Sequence, residues 1–339
     1  MINNPVTGNE NQNNLATEFV SCPMCSSSRY KAVMTARDLI HHIPGTYNLV
    51  QCTDCELVFL NPRIPRDKIS IAYPSDYAPW GKDPFSPLKR ILTARVRRLV
   101  AAPCRKPLNN PLKQLKYLYD TFSYRSLPSR DAGTRLLDVG CGAGQYLLDL
   151  DDIGWNVEGL DVAPVTNEKV RSRGIRIHTG EPELMDNLGP YDIITAWHAM
   201  EHLWEPLKAL ERFRKWLRPG GFFIAAVPNF AGLPARIADE NWCGIDVPRH
   251  LVQFTPSTLT GMLERAGFEV LNVHHKIFSG HTSGTIRLMA QAKNYAYPPS
   301  PYDRIIFRPI EIIIDIFLWL ADSTHTFGIL AQKKTDPYP

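Results

Sequence analysis

The chain has 339 residues, 44% apolar and 21% charged, which is typical of a globular protein with a sizeable core. Its formal net charge of +4 is too small to indicate a nucleic-acid-binding protein by itself. No apolar run reaches the length of about 18 residues that a membrane-spanning helix needs. The first residues, 1–18, are polar and lack the apolar centre of a signal peptide, so we expect a disordered lead-in and a cytoplasmic protein.

Two C-x-x-C pairs follow the lead-in, "CPMC" with Cys22 and Cys25 and "CTDC" with Cys52 and Cys55. Two such pairs in order are the pattern of a Cys₄ zinc ribbon, in which each pair supplies two thiolates. Four protein ligands leave no open position, so we expect a structural Zn²⁺ in a zinc-ribbon unit over residues 19–80. The other cysteines, Cys104, Cys141 and Cys243, are expected to be ordinary thiols, either buried or near the ligand site.

Residues 81–130 are predicted to form a helical linker. The stretch "SPLKRILTARVRRLVAA" has its apolar residues on one helical face and most of its basic residues on the other. This pattern predicts an amphipathic helix with a solvated basic face, and it leaves open a contact with an anionic lipid or substrate. A second apolar stretch, Ile305 to Ala321, lies in an expected C-terminal helical insertion, 295–323. It is interpreted as a buried helix or dimer contact, with docking at the inner face of the membrane as the alternative.

Strand and helix patterns alternate from about Thr134 to the end of the chain. Seven strands are predicted, at 134–139, 156–160, 175–178, 191–197, 222–228, 269–275 and 327–334, and helices at 143–154, 163–174, 206–221 and 255–268. Such alternation predicts a parallel sheet with helices on both faces. We therefore predict an α/β protein with a Rossmann-like, seven-stranded, mostly parallel sheet over 131–339, preceded by the small zinc-ribbon unit.

A glycine-rich turn, "LLDVGCGAGQYL", connects the first strand of this series to the next helix. Gly140, Gly142 and Gly144 have the spacing G-x-G-x-G. A dinucleotide-binding turn has the spacing G-x-G-x-x-G, and the position of its third glycine is occupied here by Gln145. No lysine and serine or threonine follow, as a nucleoside-triphosphate-binding turn requires. The turn therefore disfavours NAD, FAD and nucleoside triphosphates.

Two acidic residues stand at strand ends near this turn. Asp138 precedes the turn, where a carboxylate repels phosphate and favours an ammonium or sulfonium group. Asp161 ends the second strand, where a carboxylate can accept hydrogen bonds from both ribose hydroxyls. A nucleoside with a cationic amino-acid tail fits both acids, and S-adenosylmethionine is such a molecule.

The motifs resemble those of the class I S-adenosylmethionine-dependent methyltransferases. The matching segments are "LLDVGCGAGQYL", "VEGLD", "YDIITAWHAMEHLWEPLKAL", "LRPGGFFIAAVPN" and "VPRHLVQFTPSTLTGMLERAGFEV". With the cysteine pairs and "CELVFLNPR", the chain resembles a zinc-ribbon-bearing subgroup, and its core motifs also resemble the ubiquinone-biosynthesis O-methyltransferases. The resemblance implies methyl transfer, mainly to oxygen, of a small-molecule, sugar or lipid-linked acceptor. It also implies S-adenosylmethionine and a structural Zn²⁺ as cofactors.

The same resemblance assigns cofactor-binding residues. The methionine end is assigned to Asp138, Gly140, Cys141, Gly142 and Gly144, the ribose to Asp161 with Val162, the adenine surroundings to Thr179, Gly180 and Glu181, and the sulfonium to Trp197 and His198.

The segment "HAMEH" places His198, Glu201 and His202 directly after the fourth strand. It matches the H-x-x-E-H pattern of a class of metalloproteases, but in those the motif lies inside a helix, whereas here it follows a strand and precedes Pro206. Three interpretations stay open. A histidine of this segment is a general base for the acceptor proton, or the segment is only a helix start with packing contacts. The third is a divalent-metal site, because ubiquinone-type relatives carry a Glu-rich version of this segment that resembles one. His198 occupies the first acidic position of that Glu-rich version.

A loop at 229–254 is expected to build the acceptor pocket. It contains His250, a further candidate base beside His198 and His202. Arg249 is expected to pair either with an anionic acceptor group or with a carboxylate of the loop, and Trp242 to lie either in the pocket or in the core.

Two alternative functions are retained. Ribosomal RNA methyltransferases also carry Cys₄ ribbons, but the near-balanced charge and the few basic residues in 20–62 favour a small-molecule or glycan acceptor over nucleic acid. A non-catalytic zinc-ribbon and methyltransferase-like scaffold is disfavoured by the intact glycines and by Asp138 and Asp161. The sequence leaves the oligomeric state open.

Overall fold

A computed structural model describes residues 16–74, 134–152, 154–165, 167–186, 188–276, 281–294 and 301–334. The predicted lead-in up to residue 15 and the whole of the predicted linker, 81–130, with its basic stretch, lie outside these described residues.

The described part of the chain contains eleven strands and seven α-helices. The strands are β1 Tyr30–Ala36, β2 Tyr47–Cys52, β3 Val58–Leu60, β4 Arg135–Val139, β5 Asn156–Asp161, β6 Arg176–Thr179, β7 Tyr191–Trp197, β8 Leu217–Pro228, β9 Val252–Gln253, β10 Phe268–His275 and β11 Thr326–Lys333. The helices are α1 Gln145–Asp151, α2 Glu168–Ser172, α3 Pro206–Trp216, α4 Leu233–Ala238, α5 Pro256–Arg265, α6 His281–Ala292 and α7 Pro301–Leu320. Short 3₁₀ helices lie at Arg66–Ala72, Pro182–Leu184, Met200–His202 and Asp239–Asn241.

The larger sheet has seven strands in the order β10-β11-β8-β7-β4-β5-β6. Strands β6, β5, β4, β7 and β8 are mutually parallel, whereas β11 runs antiparallel to both of its neighbours. The predicted fold class, a Rossmann-like and mostly parallel α/β sheet, is therefore confirmed.

The central strands alternate their side chains between two cores. Leu137, Ile194 and Phe223 belong to one buried cluster, and Leu136 and Ile193 belong to the other. Since both faces of a parallel sheet are covered, these strands are almost continuously apolar rather than alternating apolar and polar.

The strand order reverses between β4 and β7. The chain continues from β4 to β5 and β6 on one side, then crosses to β7 and β8 on the other. Ligands of open α/β sheets bind at such a switch point, outside the carboxyl ends of the strands. The glycine turn follows β4 and the "HAMEH" segment follows β7, so both lie at this point.

The N-terminal unit is joined to the larger domain through a second sheet, of order β1-β2-β3-β9. β9 belongs to the loop predicted to form the acceptor pocket, and its Val252 and Gln253 pair with Phe59 and Val58 of β3. This loop therefore forms part of the contact between the two units.

Two predicted helix boundaries are wrong. The helix expected at 163–174 begins at Glu168, because the Asn167 side chain caps it by accepting a hydrogen bond from the Lys169 amide. The helix expected to reach Gly221 ends at Trp216, because Leu217 already pairs with Tyr191 as the first residue of β8.

The predicted helix in the C-terminal insertion is α7, but its described surface does not fit a buried helix. Ile313, Phe317 and Leu320 are exposed, whereas Glu311 and Asp315 face inward and are buried. Among the described helices, none is both long and apolar enough to cross a membrane.

Candidate active site

The glycine turn has the left-handed backbone that its sequence predicts. Gly140, Gly142 and Gly144 have φ values of 71°, 52° and 73°. A Cβ atom on Gly140 would lie 2.7 Å from the Cβ atom of Ala199. Glycine is therefore required there both by the φ angle and by the close approach of the "HAMEH" segment.

Asp161 fixes this turn from the neighbouring strand. Its Oδ2 accepts a hydrogen bond from the Gly142 amide at 2.8 Å, and its Oδ1 accepts one from the Ala163 amide at 2.9 Å. A carboxylate has about four lone-pair positions, so each oxygen keeps capacity for a further donor.

A cleft of about 380 Å³ opens at the carboxyl ends of β4 to β7, within the usual range for small-molecule sites. The predicted residues that line it are Gly140, Gly142, Asp161, Val162, Gly180, Glu181, His198 and His202. The structure thus brings together residues from four successive strand ends that the sequence assigned to one ligand.

Other predicted residues lie behind the cleft wall. Asp138 is buried and its Oδ1 accepts a hydrogen bond from the Thr195 hydroxyl at 2.7 Å. The Trp197 ring packs edge-on against Tyr146, with 5.7 Å between centroids. Neither they nor the other residues predicted near the site, Cys141, Gly144, Thr179 and His250, are among the lining residues. Their assignment to the cofactor or to catalysis stays a prediction.

Residues of the N-terminal unit form one wall of the cleft. Arg66 and Tyr73 line it. The Arg66 guanidinium lies 3.3 Å from Glu181 and 3.3 Å from Glu183, and 5.4 Å from the Trp204 ring centroid. Burial raises the pKa of Glu181 although the Arg66 charge lowers it. The sequence did not predict Arg66 or Tyr73 as residues of the site.

Glu201 lies at the centre of the histidine cluster. Its side chain is only 1% exposed, and neither carboxylate oxygen has a hydrogen-bond partner. Its Oε1 lies 3.4 Å from His198 Nδ1 and 4.0 Å from His250 Nε2. Burial would raise the pKa of Glu201, but His198, His250 and His202 lower it to about 2. The carboxylate is therefore ionised at neutral pH.

His202 and His250 each have a backbone carbonyl oxygen beside the Nδ1 atom. His202 Nδ1 is 3.0 Å from the Arg249 carbonyl oxygen, and His250 Nδ1 is 2.8 Å from the Gly244 carbonyl oxygen. Since a carbonyl oxygen only accepts, each Nδ1 carries the hydrogen, and Nε2 keeps its lone pair in the neutral ring. Burial lowers the pKa of His202 to about 4.

Of the two roles predicted for each residue, the structure shows Arg249 paired with a carboxylate of the loop and Trp242 in the core. Arg249 is fully buried and its guanidinium binds Asp38 and Asp246. Trp242 is 1% exposed, and its Nε1 donates to His325 Nδ1 at 3.0 Å. Trp242 therefore belongs to the core, and the guanidinium of Arg249 is already paired although Arg249 is also among the residues that line the cleft.

The predicted zinc ligands form a compact group. The Sγ atoms of Cys22 and Cys55 are 3.4 Å apart, and those of Cys25 and Cys52 are 3.5 Å apart. Zn–S bonds of about 2.3 Å in a tetrahedron place sulfur atoms about 3.8 Å apart, so the four thiols fit one zinc ion. Two similar turns present them. In each turn the residue after the second cysteine, Ser26 or Glu56, has left-handed backbone, and its amide donates to the carbonyl oxygen of the first cysteine.

Fold and cleft define an α/β domain with a candidate small-molecule site at the switch point of its sheet. Residues 112–273 match the family described as a methyltransferase domain. A probable S-adenosylmethionine-dependent methyltransferase of Mycolicibacterium smegmatis is 33% identical over 159 residues, 45% of this chain and 60% of that protein. A ubiquinone biosynthesis O-methyltransferase of Caulobacter sp. is 32% identical over 105 residues, 29% of this chain and 42% of that protein.

A solved S-adenosylmethionine-dependent methyltransferase from Mesorhizobium loti covers 60% of this chain and 92% of its own, with 16% identity and a TM-score of 0.41. The matches span 60% and 42% of the length of the two curated relatives named above. The resemblance to the class I S-adenosylmethionine-dependent methyltransferases that the sequence indicated is therefore confirmed over residues 112–273.

Proposed function

We propose that this protein transfers a methyl group from S-adenosylmethionine to an oxygen of a small-molecule, sugar or lipid-linked acceptor. The observation that carries the proposal is the cleft in which Gly140, Gly142, Asp161 and Glu181 meet at the switch point of the sheet. The similarity to proteins named ubiquinone biosynthesis O-methyltransferases supports oxygen as the methylated atom.

The cofactor would lie across the four strand ends. The backbone of Gly140 and Gly142 admits its methionine end, and Asp161, which lines the cleft at the end of β5, accepts from its ribose hydroxyls. Gly180 and Glu181 then stand beside its adenine. A carboxylate-rich wall without a phosphate-binding pattern favours a sulfonium over a pyrophosphate.

The sulfonium supplies an activated methyl group. The acceptor oxygen attacks the methyl carbon while the S–C bond breaks, and both bonding electrons stay on sulfur. The products are the methylated acceptor, S-adenosylhomocysteine and the proton released from the acceptor hydroxyl. The chain's own contribution is alignment of the two reactants in the cleft, which can supply roughly 7–11 kcal/mol. His198 and His202 line the cleft and stay the predicted proton acceptors, with His250 behind His202.

Calorimetric titration of the full chain with S-adenosylmethionine tests the proposal. We expect saturable binding that weakens at least tenfold in Asp161→Ala, and no binding of NAD. Asp186→Ala is a matched control, because Asp186 is an exposed aspartate whose partner is Arg212. Absence of S-adenosylmethionine binding would overturn the proposal in favour of a scaffold role. If S-adenosylmethionine binds, native mass spectrometry of the purified protein identifies an acceptor that it retains.

A further inference from the structure

One wall of the cleft is built by the N-terminal unit, opposite the strand ends of the large sheet. It consists of the 3₁₀ helix Arg66–Ala72 and the residue that follows it. The residues of this wall that line the cleft are Arg66, Asp67, Ile69, Ser70 and Tyr73. All of them lie outside residues 112–273, which match the methyltransferase family. The wall is therefore a contribution of the N-terminal unit and not of the matched domain.

This wall extends along the cleft. At its first residue, the Arg66 guanidinium lies 3.3 Å from Glu181, which follows β6. At its last residue, the Tyr73 hydroxyl oxygen lies 3.3 Å from Nδ1 of His202, in the segment after β7. A 3₁₀ helix rises about 2.0 Å per residue, so the seven residues of this helix cover about 14 Å. The two ends therefore stand beside the parts of the cleft proposed for the adenine and for the sulfonium.

Tyr73 is held in place at both ends of the residue. Its amide donates to the Ser70 carbonyl at 3.1 Å, and the carbonyl of the preceding Ala72 accepts from Arg249 at 3.0 Å. The Arg249 carbonyl requires the hydrogen of His202 to be at Nδ1, so the Tyr73 hydroxyl oxygen accepts from that same N–H. Backbone and hydroxyl contacts together fix the position of the ring in the wall.

The phenol of Tyr73 is neutral at physiological pH. Burial raises the pKa of Tyr73 well above its ordinary value, and the carboxylates of Asp246, Glu201 and Asp161 raise it further, against the opposing effect of Arg249. A neutral aromatic ring attracts a cation through the partial negative charge of its face. The same ring has no such attraction for an uncharged thioether.

Tyr73 and Trp204 supply the tyrosine and tryptophan rings among the described lining residues. The Trp204 ring already faces cations of the protein, because the guanidinium carbons of Arg63 and Arg66 lie 4.4 Å and 5.4 Å from its centroid. The Tyr73 ring instead stands beside the segment that contains His198, the residue predicted near the sulfonium. Of the two rings, Tyr73 is therefore the one placed to meet a cationic ligand.

We propose that the ring of Tyr73 binds the sulfonium end of S-adenosylmethionine. This inference rests on the proposed function, since the same cleft must hold the methyl donor. It assigns to the N-terminal unit a direct part in donor recognition, in addition to any structural part. Because S-adenosylhomocysteine has lost the positive charge with the methyl group, Tyr73 favours the donor over the product and assists product release.

Calorimetric titration of the full chain with S-adenosylmethionine and, separately, with S-adenosylhomocysteine tests this role. In Tyr73→Leu the affinity for the donor should fall about 5- to 30-fold more than the affinity for the product. Tyr73→Phe retains the ring and should keep the wild-type ratio of the two affinities within about twofold. The matched control is Tyr30→Leu, because Tyr30 is a partly exposed tyrosine of the same unit outside the lining.

A second substitution keeps the test independent of the folding of Tyr73→Leu. A ring-fluorinated phenylalanine at position 73 has nearly the shape of phenylalanine but a less negative face, so it should lower the donor-to-product ratio below that of Tyr73→Phe. Equal losses of both affinities in Tyr73→Leu, or an unchanged ratio in the fluorinated variant, would show that the ring only packs and would overturn the inference. A wild-type chain that binds neither ligand overturns the proposed function as well, whereas one that binds both with the same ratio in every variant overturns this inference alone.

Discussion

Arg249 and Asp38 form a buried two-point ion pair although they are 211 residues apart in the chain. The Nη1 and Nη2 atoms of Arg249 donate to the two carboxylate oxygens of Asp38, each at 2.8 Å. The same guanidinium donates to the Ala72 carbonyl, at the end of the segment that lines the cleft. One side chain therefore ties the N-terminal unit to the loop that carries His250.

Replacing Asp38 by Asn should destabilise the folded protein by about 3–5 kcal/mol, because it removes one charge from a fully buried pair. Burial would raise the pKa of Asp38, but hydrogen bonds from Arg249 and from backbone amides lower it overall. A lowered pKa gives stability that is present above the unfolded value of about 4 and is lost as the pH falls through the folded value. Urea denaturation at pH 7 and pH 3 measures both effects.

The matched control for this prediction is Asp54→Asn. Asp54 belongs to the same unit and pairs with Arg29, but both side chains are at or near the surface. The loss of the Asp54 charge should cost far less stability than the loss of Asp38, because solvent screens an ion pair near the surface. Equal losses in the two variants would mean that the Arg249 pair does not join the units.

Removal of the predicted zinc ion should weaken the proposed methyl-donor site as well as unfold the N-terminal unit. The four thiols hold the two turns that precede Arg66 and Tyr73, and these two residues line the cleft. Arg63 stacks on Trp204 at 4.4 Å, so loss of this contact should change tryptophan fluorescence. Chelation and Cys52→Ser should produce the same fluorescence change and the same loss of S-adenosylmethionine affinity. Cys243→Ser, which leaves the four predicted zinc ligands intact, should produce neither change. Donor affinity unaffected by chelation would contradict the prediction.

Arg66→Ala should lower donor affinity several-fold and reduce stability by about 1–3 kcal/mol, because it leaves the Glu183 carboxylate with fewer partners. Glu183 has a fully buried side chain whose Oε1 accepts from Arg66 and from the Trp204 amide, while its Oε2 has no partner. Arg29→Ala provides the control, since Arg29 is exposed and pairs with Asp54, and neither residue lines the cleft. Calorimetry and thermal unfolding of both variants distinguish a cleft residue from a surface cation.

The sequence predicts what depends on local pattern, namely the seven strands, the glycine turn and the acid at the end of β5. It does not predict the wall formed by Arg66 and Tyr73, because their partners Glu183 and His202 are 117 and 129 residues away. Ion pairs and ring contacts at such distances have no periodicity along the chain. The short strand β9 was missed for the same reason, since two residues pair only because β3 lies beside them.

A comparison of Gly140 and Gly174 separates two reasons why the turn requires glycine: the left-handed backbone conformation and the close approach of a neighbouring segment. Both have left-handed backbone, with φ values of 71° and 67°. A Cβ atom on Gly174 meets nothing within 4 Å, whereas one on Gly140 meets Ala199 Cβ at 2.7 Å. Gly174→Ala should therefore cost about 1 kcal/mol, from the φ angle alone. Gly140→Ala should cost about 1–3 kcal/mol more, from the contact.

Because the contact also pushes away the segment that carries Glu201 and His202, Gly140→Ala should lose donor affinity that Gly174→Ala retains. Equal unfolding free energies and equal donor affinities in the two variants would show that the segment after β7 yields freely, and that the turn is not held against it.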